Sequence, residues 1–136
     1  MELSKRLEMV AGLVTQERIA DIGTDHGYVP IYLYKKGRSK KAYACDVRKG
    51  PLKKKKKNIA LYGAEDVIET RLGSGLTPLK AGEAETAIMA GMGGMLIVHI
   101  LQDSPEVAAS LTELVLSPQR DFGAVRKYLH QIGFAI

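Results

Sequence analysis

Short apolar or β-branched runs alternate with longer amphipathic runs along this chain, and that alternation restricts its fold more than any other feature. Successive strands separated by helices must pair in parallel, because each crossover returns the chain to the same end of the sheet. The pattern predicts strands over 17–22, 41–46, 66–71, 84–90 and 111–117. It predicts helices over 2–14, 28–36, 49–62, from the glycines after 90 to Gln102, and over 122–132. Leu3, Leu7, Val10 and Val14 recur at helical spacing on one face of the first helix. Pro30 and Pro51 stand in first turns, where a missing N–H costs nothing. Asp121 is placed to cap the last helix, on which Val125, Leu129 and Ile132 share a face. Phe134, Ala135 and Ile136 read as the opening of a sixth strand, so the chain is expected to be the N-terminal part of a longer protein. The fold class is therefore α/β: a mostly parallel, Rossmann-like sheet with helices on both faces. The chain's 136 residues suit one domain over 1–136, with a core that needs no metal or disulfide.

Composition excludes several classes. Cys45 is the single cysteine, so no intrachain disulfide can form, and a reducing cytoplasmic setting is the default. Apolar stretches are short and broken by charge, which argues against a signal peptide, a membrane span or a membrane partner. His, Cys, Asp and Glu do not cluster at ligand spacing, so no metal is expected. The net charge of +5 permits a nucleic-acid partner without demanding one. The oligomeric state is not legible, and a monomer is the default.

The chemistry is concentrated in loops that follow strands. Ligands of doubly wound sheets bind beyond the carboxyl ends of the strands, at the point where the strand order reverses. The loop after the first strand reads Asp21-Ile22-Gly23-Thr24-Asp25-His26-Gly27. A dinucleotide-binding turn would read G-x-G-x-x-G with no acid inside it. A carboxylate there repels a pyrophosphate but suits a ligand carrying an ammonium, such as the methionyl part of S-adenosylmethionine. The alternative is a structural turn in which Asp25 only caps the next helix. Asp21, Gly23, Thr24, Asp25 and Gly27 are the candidates from this loop, with His26 and Tyr28 beside it.

Three further loops complete the set. Asp46 ends the second strand, 25 positions after Asp21, where an acid can accept ribose hydroxyls; Val47 follows it. Ser74, Gly75 and Leu76 follow the third strand, where an adenine could lie against the backbone. Ala90, Gly91, Met92, Gly93 and Gly94 follow the fourth, and their glycines signal either a bulky neighbour or tight packing. His99 and His130 carry no assigned role. Lys53 to Lys57 read as a solvated helix exterior, with a phosphate-binding patch as the alternative.

The stretch Ala20-Asp21-Ile22-Gly23-Thr24-Asp25-His26-Gly27-Tyr28-Val29-Pro30, with Ala90-Gly91-Met92-Gly93-Gly94, resembles the bacterial tRNA (adenine-N1)-methyltransferases acting on position 22, the TrmK family. Ser4-Lys5-Arg6-Leu7, Gly50-Pro51 and Ser117-Pro118-Gln119 are also similar to that family, which often has Gln-Pro-Asn at the last of these. Ser74 stands where an Asn or Asp is commoner. The resemblance implies a class I S-adenosylmethionine-dependent fold, tRNA as partner, and a helical C-terminal region beyond this chain. It implies methyl transfer to adenine N1, with Asp25, His26 and Tyr28 shaping the site and orienting the base. The adenine N1 has its own lone pair, so catalysis should come from alignment and desolvation rather than from a strong base. A nicotinamide-dependent oxidoreductase and a non-catalytic RNA-binding module are the competing readings.

Overall fold

The computed structural model describes residues 3–23 and 25–134. The elements run α1 (Lys5–Leu13), β1 (Arg18–Ile22), a 3-10 turn (Asp25–Gly27), α2 (Tyr28–Lys35), β2 (Lys41–Asp46), α3 (Lys49–Leu61), β3 (Ile68–Leu72), β4 (Thr86–Met92), α4 (Gly94–Asp103), α5 (Pro105–Ser110), β5 (Glu113–Pro118) and α6 (Phe122–Gln131). The five strands form one parallel sheet in the order β3-β2-β1-β4-β5. This is the predicted Rossmann-like architecture.

Strand residues alternate between two cores. Ile19, Ala42 and Ile88 face α1 to α3, against Val10, Val14, Val29, Ile31, Leu33 and Ile59. Ala20, Ile22 and Met89 face the other layer, against Ile97 and Leu101 of α4 and Val125 and Leu129 of α6. The helices thus cover both faces, as the near-continuous apolar strands require.

Differences from the sequence reading have local causes. α1 starts at Lys5 because the Ser4 hydroxyl accepts the Leu7 amide at 3.2 Å, and it stops at Leu13 because Val14 turns extended. α5 was not anticipated; its six residues are too few to show a period. Asp121 holds the cap position of α6 but makes no side-chain cap bond, since its backbone is left-handed (φ 59°) rather than extended. Ile132 lies past the end of α6 and is 40% exposed, so it leaves the face shared by Val125 and Leu129. Ala135 and Ile136 of the expected sixth strand lie outside the described residues.

Gly94 shows why the glycine cluster is needed at the start of α4. A Cβ there would lie 2.5 Å from the Arg120 carbonyl oxygen and 2.6 Å from that of Asp121. The Gly94 amide instead donates to the Arg120 carbonyl at 2.9 Å, joining α4 to the β5–α6 turn. Gly94→Ala is expected to destabilise the fold by about 1–3 kcal/mol, the usual cost of overpacking, read as a lower urea midpoint.

Candidate functional site

The strand order reverses at β1, whose neighbours are β2 on one side and β4 on the other. A cleft of about 260 Å³ opens beyond the carboxyl ends of these strands. The end of β1 and the residue after it contribute Ile22 and Gly23, and the end of β2 and the residue after it contribute Cys45, Asp46 and Val47. The segment after β3 contributes Gly73 to Thr77, while Met92, Leu96, His99, Ile100, Asp103 and Ser104 come from the end of β4 through α4 and just past it. Leu76 and Ile100 are buried in its wall, whereas Val47 and Leu96 are 62% and 52% exposed. Exposed apolar side chains on a cleft wall suit the flat apolar part of a ligand.

Backbone hydrogen bonds shape the cleft. The Gly23 amide donates to the Cys45 carbonyl, and the Gly73 amide to the Asp46 carbonyl, each at 2.9 Å. Gly23 has φ +76°, and a Cβ there would lie 3.3 Å from Met92 Cε, so glycine keeps the loop open.

Asp46 is the polar centre of the cleft and only 7% exposed. Its Oδ1 accepts the Arg48 amide at 2.9 Å, and its Oδ2 accepts the Lys55 ammonium at 3.0 Å. Burial alone would raise its pKa, but the Arg48 amide and the Lys55 ammonium outweigh that and hold it below the usual carboxylate value. Each oxygen keeps one acceptor position, enough for the two hydroxyls of a vicinal diol.

Lys55 corrects the reading of the lysine run. Lys53, Lys54, Lys56 and Lys57 are exposed, but Lys55 is 1% exposed and its ammonium is not in water. The signal lay in the spacing: Lys55 falls four residues before buried Ile59, on the inward stripe of α3.

The remaining predicted residues divide into those on the cleft wall and those off it. Gly23, Asp46, Val47, Ser74, Gly75, Leu76 and Met92 line the cleft. Asp21 does not; it is fully buried in β1, in register with Ala44 and Ile88, and strand alternation turns it to the face of Ile19. Ala90, Gly91 and Gly93 flank Met92 without lining the cleft. Gly27 passes over the Lys55 stem, with its Cβ position 3.6 Å from Lys55 Cβ. His26 borders a smaller recess on the Arg48 side, also lined by Gly23 and Asp46. Its φ of 56° is left-handed, its carbonyl accepts Asn58 Nδ2 at 3.0 Å, and its ring centroid is 5.2 Å from that of Tyr28. Thr24 and the Asp25 side chain lie outside the described residues. His99 and Asp103, one helical turn apart on α4, had no assigned role; neither carries a local motif.

Arg71 secures the wall that follows β3. Its guanidinium meets both Glu83 oxygens at 2.6 and 2.7 Å, donates to the Pro78 carbonyl, and stacks 4.4 Å from the Tyr43 ring centroid. The bond to Arg71 lowers the Glu83 carboxyl from 4.5 to about 2. A depressed carboxyl stabilises the fold above its unfolded value, and that contribution is lost as pH falls from 4.5 towards about 2. Glu83→Gln is therefore expected to lower stability at neutral pH and to flatten the loss of stability across that acid window, measured by urea unfolding at stepped pH.

Among the described residues, no His, Cys, Asp and Glu group could hold a metal, and no helix is long and apolar enough to cross a membrane. The chain belongs to the methyltransferase domain family, whose model matches residues 3–136. More narrowly, it is 34% identical over 137 aligned positions to the tRNA (adenine(22)-N(1))-methyltransferase of Bacillus subtilis (strain 168), covering all of this chain. The chain spans 58% of that relative's length. Sp1610 of Streptococcus pneumoniae, solved with S-adenosyl-L-methionine, is 36% identical with a TM-score of 0.95, covering 99% of this chain and 64% of that one. M. capricolum TrmK, solved with S-adenosyl-homocysteine, is 31% identical with a TM-score of 0.83, covering 95% and 57%.

Proposed function

We propose that this chain binds S-adenosylmethionine in the cleft and directs methyl transfer to N1 of adenine 22 in tRNA. The observation that carries this reading is the cleft at the end of β2. Ionised Asp46 keeps two free acceptor positions there, beside an apolar slot formed by Val47, Leu76, Leu96 and Ile100. That donor set fits a nucleoside: a diol for the carboxylate and a flat ring for the slot. The relatives solved with S-adenosyl-L-methionine and S-adenosyl-homocysteine share this fold across nearly all of the chain.

In this reading Asp46 holds the ribose hydroxyls, and Val47 and Leu96 flank the adenine while Ser74 and Gly75 face it. Gly23 leaves backbone room for the sulfur-bearing chain. The cofactor supplies a methyl group activated on a sulfonium. Met92 and the glycines around it face the acceptor side in this reading, with the Arg6 guanidinium beside Gly91 and that of Arg120 beside Gly93. Asp25, His26 and Tyr28 position the target base, which must leave its stack to reach them. In this reading residues 1–136 are one domain, built on the five-stranded sheet of the described residues, and its setting is cytoplasmic, with its tRNA.

An acid inside the β1 loop argues against a pyrophosphate there, and hence against a nicotinamide cofactor. Calorimetric titration separates the two: S-adenosylmethionine should bind and NAD should not. In the full-length protein, whose C-terminal region contributes to tRNA binding in this reading, a radiolabelled methyl donor should then mark N1 of a single adenine in tRNA; binding of tRNA without labelling by the full-length protein would leave an RNA-binding module instead. Asp25→Ala should cut transfer by about 100-fold, the scale of a misaligned acceptor. Near-normal transfer by the full-length Asp25→Ala enzyme would remove Asp25 from the site.

A further inference from the structure

We propose that Lys55 is a positioning residue, whose buried ammonium holds the Asp46 carboxylate in the orientation that receives a ribose diol. This rests on the S-adenosylmethionine reading above and names a residue that acts through Asp46 rather than on the ligand.

Stability does not account for a lysine at this position. Lys55 sits on the inward stripe of α3, one turn before Ile59, with 1% of its surface exposed. A packed apolar side chain there would avoid desolvating an ammonium, and replacing a buried ion pair by apolar groups is often neutral or stabilising. The geometry instead serves the carboxylate. Lys55 Nζ donates to Asp46 Oδ2 at 3.0 Å and to the Cys45 carbonyl at 3.1 Å, so the ammonium is itself anchored to the end of β2. The Arg48 amide holds the other oxygen, Oδ1, at 2.9 Å. Two donors on two different oxygens stop rotation of the carboxylate about its Cβ–Cγ bond. With Lys55 removed, the remaining partners both come from Arg48 and both meet Oδ1, the amide at 2.9 Å and the exposed guanidinium at 3.9 Å, so the carboxylate can pivot on that one oxygen. Gly27 of the β1 loop also rests against the Lys55 stem, so the same side chain spaces that loop from α3.

The test compares S-adenosylhomocysteine with its 2′,3′-dideoxy analogue, by calorimetry on the wild-type chain and on Lys55→Met. Methionine keeps the stem and removes the charge. If Lys55 acts through Asp46 on the diol, S-adenosylhomocysteine affinity should fall on the order of tenfold, the scale of a charged hydrogen bond. Affinity for the dideoxy analogue should stay within about twofold, since it makes no diol contact for Lys55 to support. Equal losses for both ligands would mean a structural role only, and an unchanged affinity for S-adenosylhomocysteine would mean no role; either overturns the proposal. If Lys55→Met does not fold, Asp46→Asn and Asp46→Asn/Lys55→Met provide the comparison, the latter with no uncompensated buried charge. The two should bind S-adenosylhomocysteine equally weakly, and a further loss in the double variant would overturn the proposal. A wild-type chain that binds neither ligand would sink the cofactor reading itself, an outcome distinct from all of these.

Discussion

The structure depends on a topological constraint: a parallel sheet that grows outward in both directions from one central strand must leave a crevice where it reverses. β1 is that strand. Chain leaving it through α2 adds β2 and β3 on one side, and β4 and β5 lie on the other. The helices after β1 and β2 cover one face, and those after β4 and β5 cover the other. The loops at the carboxyl ends of the strands diverge at this point, and the cleft opens between them with α4 along one side. Loop residues otherwise far apart in sequence therefore line one cleft.

Within that frame the polar chemistry converges on Asp46. It sits where burial is nearly complete, yet its carboxylate stays charged because two donors were brought to it by different routes. The Arg48 amide arrives through the local turn into α3, and the Lys55 ammonium through the first two turns of that helix. One carboxylate thus borders both the main cleft and the smaller recess beside His26. The apolar walls complement it: a nucleoside needs a flat dry slot and a diol acceptor side by side, and Val47 follows Asp46 directly.

Much of this was legible in the residues. Strand and helix order followed from periodicity, since 2.0- and 3.6-residue repeats are properties of local geometry. Asp46, Gly23 and Ser74 to Leu76 were legible because they fall immediately after strands, where a doubly wound sheet places ligands. Asp21 was not, because strand alternation turns it away from its cleft-lining neighbour Ile22 and onto the buried face of Ile19. His99 and Asp103 were missed because they enter the cleft from mid-helix, a position fixed by how α4 packs and not by any motif.

The amino-acid sequence by itself determined the fold class, the strand count in the described region, and the loops that could carry a nucleoside site. These follow from local periodicity and from turn chemistry, which act over a few residues. The tertiary structure alone decided which loop residues share a cavity, and which of five adjacent lysines is buried. Four of them meet water and one meets Asp46, because a helix packed on a sheet turns a single stripe inward. Composition sees five equal charges there, and only packing distinguishes the one whose desolvation is compensated by a partner.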